Sequence, residues 1–237
     1  MPFRCRRGRG SQPQNPGCGS LDVHAEKSWR HSSPQSVQII PVPTDRGVTI
    51  CAMWEAREQK CAEGGDYRMN GVRKNDVAVR FTVILPRGVP IEVSTVNGGL
   101  QIDGASAPVQ ANTVNGSIEA NMQELAGGDV RLTTVNGSVS AGLPPRINAN
   151  IDAETVNGRV ESDFPVKVMG KLSTRHLRGT IGTGGSTLKL VTVNGSITLH
   201  EAEPGSTEVR VHVAPMQRVR VDRPLPPTPP KKPQQQP

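Results

Sequence analysis

The sequence predicts an all-β chain whose centre is a β-solenoid, a helix-like stack of about six rungs cornered by Asn-Gly. Three observations lead there: a recurring tetrapeptide, the alternation of apolar residues around it, and the charges that stacking would bring together. Thr-Val-Asn-Gly occurs at residues 95–98, 113–116, 134–137, 155–158 and 192–195, in steps of 18, 21, 21 and 37. Fixed-period recurrence marks a stack of equivalent units. A degenerate copy, His176-Leu-Arg-Gly179, falls 21 residues after the fourth and completes six units.

Each copy predicts a sharp corner. Asn and Gly both tolerate positive φ, which a tight two-residue turn requires. The expected structural corners are therefore Asn97 and Gly98, Asn115 and Gly116, Asn136 and Gly137, Asn157 and Gly158, Gly179, and Asn194 and Gly195. Apolar residues alternate on both sides, as in Val109, Ala111 and then Ile118, Ala120, or Leu188, Leu190 and then Ile197, Leu199. Alternation places one side of each strand in a core and the other in water.

Charge distinguishes a solenoid from a meander of independent hairpins. Hairpins would set Glu154 against Glu161 and Asp152 against Asp163, and like charges directly opposite repel. A regular stack instead sets Arg131 beside Asp152 and Glu154 beside Arg175, each pair 21 residues apart. It also sets Asn136 on Asn157, where side-chain amides form a ladder.

Around this centre, residues 1–20 read as a disordered basic N-terminus and 21–90 as a β-strand region of the same domain. Residues 91–203 hold the repeats, and 204–237 read as a Pro-rich basic disordered tail. Only 3% of residues are aromatic and 34% hydrophobic, against 25 Gly and 21 Pro. Such a chain builds its core from thin repeated layers rather than one large cluster.

The net charge of +7 lies in the tails: residues 1–20 and 204–237 carry +4 each, and the rest carries −1. A nucleic-acid binder would show a basic face with stacking aromatics. Residues 91–200 contain one aromatic, Phe164, so no nucleic-acid partner is expected. No run approaches the roughly 18 apolar residues of a transmembrane segment. Residues 1–20 show no apolar stretch of a signal peptide, which read literally leaves the chain in the cytoplasm. Cys18 follows Asn15-Pro-Gly17, without the apolar residue that precedes a lipidated cysteine.

Cys5, Cys18, Cys51 and Cys61 allow three complete pairings. Cys51 ends the strand-like Gly47-Val-Thr-Ile-Cys51 and lies ten residues from Cys61, a span that an oxidising compartment could close. No Cys/His spacing suits a metal, and no cofactor motif occurs. Asp152, Glu154, Glu161 and Asp163 are the candidate catalytic or cation-binding acids, as in a carbohydrate-active β-helix. A solvated face balanced by Arg131, Arg159 and Arg175 accounts for them more simply. Gly179-Thr-Ile-Gly182-Thr-Gly-Gly185 lacks the Lys-Ser/Thr of a phosphate loop, and a tight corner explains it better. No catalytic constellation emerges, and the expectation is a protein without enzyme activity.

The repeated Thr-Val-Asn-Gly-Ser-Ile/Val, the lead-in Val83-Ile-Leu-Pro86-Arg-Gly88-Val89 and the stretch Glu161-Ser-Asp-Phe-Pro165 to Arg178-Gly-Thr-Ile-Gly182 carry a resemblance. From Leu21 to Leu199 the chain resembles the bacterial family of proposed adhesins, a domain of otherwise unknown function. That resemblance implies a right-handed β-helix-like fold and export to the periplasm or cell surface. Family members usually begin with a signal peptide and this chain departs from that, so the expectation is a true start upstream or a misassigned N-terminus. It implies a cell-envelope adhesive or structural role, with a surface glycan, an envelope protein or a second copy as partner. A periplasmic protein-binding scaffold is the further alternative. The family supplies no catalytic residues.

Overall fold

The computed structural model describes residues 2–3, 21–44, 47–55, 58–61, 67–70, 75–125, 128–170, 173–202 and 208–215. Its strands are β1 (Pro2–Phe3), β2 (Leu21–Ser28), β3 (Val37–Thr44), β4 (Gly47–Trp54), β5 (Glu58–Cys61), β6 (Tyr67–Asn70) and β7 (Ala78–Leu85). The repeats follow as β8 (Ile91–Ala105), β9 (Val109–Asn115), β10 (Ile118–Met122), β11 (Val130–Thr133), β12 (Val139–Leu143), β13 (Ala149–Asn157) and β14 (Val160–Ser162). The chain continues through β15 (Lys167–Val168), β16 (His176–Ile181), β17 (Ser186–Asn194), β18 (Ile197–Glu201) and β19 (Val209–Pro215).

The fold is all-β and solenoid-like. Each repeat bends at Val-Asn-Gly into two arms, and the arms stack in parallel register. First arms form a front sheet in the order β8-β9-β11-β17-β13. Second arms form a back sheet in the order β8-β10-β12-β18-β14, the bent β8 serving both. Between the sheets lie the alternating small apolar residues. Ala111, Leu132, Leu190 and Ala153 come from the front, and Ile102, Ala120, Ala141 and Leu199 from the back, all buried in one continuous core. Layers of Ala and Leu fill the space between the sheets, which is how the chain folds with so few aromatics.

The rungs do not follow chain order. The last Thr-Val-Asn-Gly copy sits between the third and the fourth, because β17 pairs with both β11 and β13. This corrects the expectation of six consecutive rungs: there are five. The segment around Gly179 forms β16, antiparallel to β13, with Asp152 opposite Arg178 and Ile151 opposite Gly179. His176-Leu-Arg-Gly179 lacks both the Thr and the Asn that the other corners use, so it has nothing with which to build one.

The 37-residue step accommodates this detour. After the fourth copy the chain runs through β14 and β15, returns along β13 as β16, and crosses beneath the start of β13 to become β17. Glycines permit the crossing. Gly182 and Gly184 have φ of 62° and 80°, and a Cβ on Gly182 would lie 2.1 Å from Asn148 Oδ1. The run Gly182-Thr-Gly-Gly185 is thus an underpass between non-neighbouring strands, not a rung corner.

The back sheet extends on its other side by β19, β7, β2 and β1, all antiparallel. The strand β19 corrects the reading of residues 204–237 as wholly disordered. Val209 and Val211 are buried and Val213 packs against the same core, so a strand slots between β7 and β8. Residues 4–20 and 216–237 lie outside the described residues.

Hairpins β3-β4 and β5-β6 stand beside a second small core of Val37, Val77 and Val79, where Trp54 Nε1 donates to the Val77 carbonyl at 3.0 Å. Cys51 and Cys61 are disulfide-bonded with a Cα–Cα distance of 6.2 Å, tying β4 to β5. The bond closes a short loop in a region whose core is thin, where a cross-link constrains the unfolded chain. Peptide mapping without reduction should return Cys51 and Cys61 in one linked peptide; alkylation of both in the folded protein made under oxidising conditions would contradict this pairing.

Candidate functional site

Each residue of Thr-Val-Asn-Gly has a separate task, and together the tasks shape one outer face. Thr113, Thr134, Thr155 and Thr192 are buried and point back along the stack. Thr113 Oγ1 donates to the Gly98 carbonyl at 3.0 Å, Thr134 to Gly116 at 2.8 Å, Thr192 to Gly137 at 2.7 Å and Thr155 to Gly195 at 2.8 Å. The asparagines form an amide ladder. Nδ2 of Asn115 reaches Asn97 Oδ1 at 2.9 Å; Asn136 then reaches Asn115, Asn194 reaches Asn136 and Asn157 reaches Asn194, each at 2.8 Å. The ladder runs in spatial order, so Asn136 meets Asn194 and not Asn157 as the sequence spacing suggested.

The glycines correct the expected reason for the corner. No non-glycine residue among those described has positive φ, and of the corner glycines only Gly195 does, at 158°; Gly98, Gly116, Gly137 and Gly158 do not. Close approach is the constraint instead. A Cβ on Gly116 would lie 2.1 Å from the Gly98 carbonyl oxygen. On Gly137 it would lie 2.1 Å from that of Gly116, on Gly195 2.1 Å from that of Gly137, and on Gly158 2.0 Å from that of Gly195. Backbone stacks on backbone there, with no space for a side chain.

The valine of each corner points outward. Val96, Val114, Val135 and Val156 are 56%, 40%, 37% and 52% exposed, and Val193 shares their register half-buried. Two strand positions before them lies a row that is polar except at Val191: Ser94, Asn112, Thr133, Val191 and Glu154. Two positions further is a charged row in the order Glu92, Gln110, Arg131, Lys189, Asp152 and, across the antiparallel pair, Arg178. The front sheet therefore shows water three parallel rows: apolar, polar and charged.

The inserted rung rearranges the predicted charge pairs. Lys189 stands between Arg131 and Asp152. Arg178 Nη2 lies 3.2 Å from one oxygen of Asp152 and His176 Nε2 lies 3.3 Å from the other. Partial burial pushes the Asp152 carboxyl up. Hydrogen bonds from His176 and Arg178, with the charges of Arg178 and Lys189, outweigh that and hold it below the usual aspartate range. Glu154 faces Val191 on one side and His176 on the other, while Arg175 gives its carbonyl to the Thr155 amide.

The four acids do not converge. Asp152 and Glu154 belong to the front sheet. Glu161 lies beyond the corner on the back sheet, 3.6 Å from Arg159, and the Asp163 amide donates to Leu199. Among the described residues no group of three or more His, Cys, Asp and Glu side chains is placed to hold a metal ion. A shallow depression of about 340 Å³ opens at the far end of the rungs, lined by residues including Gln123, Glu124, Arg146 and Asn148. No helix among the described residues is long and apolar enough to cross a membrane. Lys189, Arg178 and His176, the neighbours of Asp152, were missed from sequence. The signal for Lys189 was present: it stands five residues before its corner asparagine, the phase of Arg131 and Asp152.

Residues 89–200 match the family described as Toastrack DUF4097. Among solved structures, the chain is similar to a proposed cell adhesion protein from Clostridium sporogenes, at 12% identity over 76% of this chain and 82% of that one, with a TM-score of 0.44. A comparison with curated proteins finds no match.

Two outcomes follow from this geometry. Gly137→Ala should lower unfolding stability by about 3 kcal/mol, the upper end for overpacking, because backbone and not a flexible side chain must give way. A change within 0.5 kcal/mol in urea denaturation would contradict the close stacking. Acidification should also weaken the fold through Asp152. Its folded pKa is depressed, so its contribution is full above the unfolded value near ~3.9 and is lost as pH falls through the lower folded value. Asp152→Asn should flatten that part of the acid unfolding profile; an unchanged profile would remove Asp152 from the account.

Proposed function

We propose that the protein is a non-catalytic contact module of the bacterial cell envelope, adhesive or structural, which works through the outer face of the front sheet. The observation that carries this reading is the valine row. A repeat that buries its Ala, Leu and Thr positions leaves an apolar side chain in water at corner after corner, on a rigid and nearly regular lattice. Contiguous exposed apolar surface of this kind marks interaction sites. The adjoining polar and charged rows give it the mixed character of a surface that meets partners carrying both apolar and polar groups.

An extracytoplasmic setting agrees with the Cys51–Cys61 disulfide, since such bonds persist in oxidising compartments. Absence of enzyme activity is part of the proposal. Its support is the separation of the four acids between two sheets, with Asp152 paired to Arg178 and His176 and Glu161 to Arg159.

Replacing Val96, Val114, Val135 and Val156 together by Thr keeps β-branching and β-propensity at solvent-facing positions. The variant should fold with a Tm close to the parent and lose at least tenfold in attachment to purified cell-envelope fractions. Undiminished attachment by the folded variant would overturn this use of the face.

A further inference from the structure

We propose that the front face binds an anionic polysaccharide, with Arg131 and Lys189 as the paired cations that hold its carboxylate or sulfate groups. The proposal rests on the contact-module reading and names the ligand class for the same face.

Arg131 and Lys189 occupy in-register positions on adjacent parallel strands, both facing outward. Neighbouring strands are about 4.8 Å apart, so two cationic side chains rise from nearly one point of the sheet. Like charges so placed destabilise a sheet. The one counter-charge beside the pair in the row is Asp152, in register with Lys189 on its far side and shared with Arg178 and His176. Arg131 has none, and Gln110 flanks it on its other side. Neither Arg131 nor Lys189 makes a salt bridge with another described residue. An anionic oxygen bridging the two would relieve their repulsion and form two charge-assisted hydrogen bonds. Arg178, paired with Asp152, lies two strands beyond Lys189, about 10 Å away, and adds positive charge further along the row for a ligand bearing repeated anionic groups.

The rest of the face selects a sugar over other polyanions. Asn112 and Thr133 in the next row offer amide and hydroxyl groups to ring hydroxyls, and the valines beyond offer apolar contact to the C–H faces of pyranose rings. Base stacking would need aromatics, and the face carries none.

The experiment measures binding of the full chain to dextran sulfate, to polygalacturonate and to neutral dextran by calorimetry at low and high salt. Binding to one or both anionic polymers, at least tenfold weaker in Arg131→Gln/Lys189→Gln and weakened by salt, is expected. The Gln pair removes both the repulsion and the attraction of Lys189 to Asp152, so its Tm should stay close to the parent's. Because the tail is also basic, Lys231→Gln/Lys232→Gln serves as the control and should bind within twofold of the parent. Full binding by the 131/189 pair variant with loss in the tail variant would overturn the proposal. So would equal affinity for neutral dextran, or tighter binding of a single-stranded oligonucleotide. Envelope attachment that depends on the valines but not on Arg131 and Lys189 would overturn the anionic ligand and leave the contact reading standing.

Discussion

The structure depends on one close contact, the stacking of backbone on backbone at the corner glycines. Where Gly98, Gly116, Gly137, Gly195 and Gly158 meet in sequence along the stack, no Cβ fits between the rungs. That approach brings each buried threonine hydroxyl within reach of the carbonyl beside it and sets the asparagine amides at ladder spacing. It also fixes register. A slip of one residue would turn Thr outward and Val inward on every rung, removing the hydroxyl bonds and placing Val against the core positions of Ala and Leu. The tetrapeptide is the local device by which a chain poor in large apolar residues specifies one alignment.

The inserted rung makes the fold less local than a simple solenoid. β17 and β18 join the third unit to the fourth, and β19 joins β7 to β8, so the segment from 186 to 215 completes pairings that earlier strands leave open. In a consecutive stack each unit contacts only its chain neighbours and stability is a sum over such contacts. Here two of the neighbour contacts in each sheet, those of β17 and β18 with the flanking rungs, involve the last repeat. The N-terminal two-thirds of the domain is therefore coupled to the C-terminal strands, and the long-range pairing points to slow folding.

Much of this was legible in the sequence, and most of the failures share a cause. Periodicity revealed the corners, the alternation and the all-β class, because those depend on local chemistry that each repeat carries in itself. The phase of a residue relative to its corner asparagine carries the charged row as well, a signal that was not used: Glu92, Gln110, Arg131, Lys189 and Asp152 each stand five residues before one. Order along the stack was not legible. Steps of 21 residues look alike whether the next rung lies beside the last or one place beyond, and the 37-residue step read as a hidden rung when it held a detour. Misplacing that one unit accounts for the mistaken pairs Arg131–Asp152 and Asn136–Asn157 and for Gly179 as a corner. The glycine argument failed differently. Asn-Gly supports both a positive-φ turn and a close approach, and only the neighbouring backbone distinguishes them.

Spatial order is thus the claim on which the charged row, the amide ladder and the coupling of the C-terminal strands all stand. Ser196 donates its amide to Ser138 Oγ at 3.3 Å, which places the two serines on adjacent rungs just past the corner. Arg159 occupies the same phase on the fourth copy, one rung further away. Ser138→Cys combined with Ser196→Cys should be joined rapidly by a short thiol cross-linker in the folded chain, as read by peptide mapping, while Ser138→Cys combined with Arg159→Cys should remain unlinked. Efficient linkage of 138 to 159 and none of 138 to 196 would restore chain order to the rungs and contradict the account.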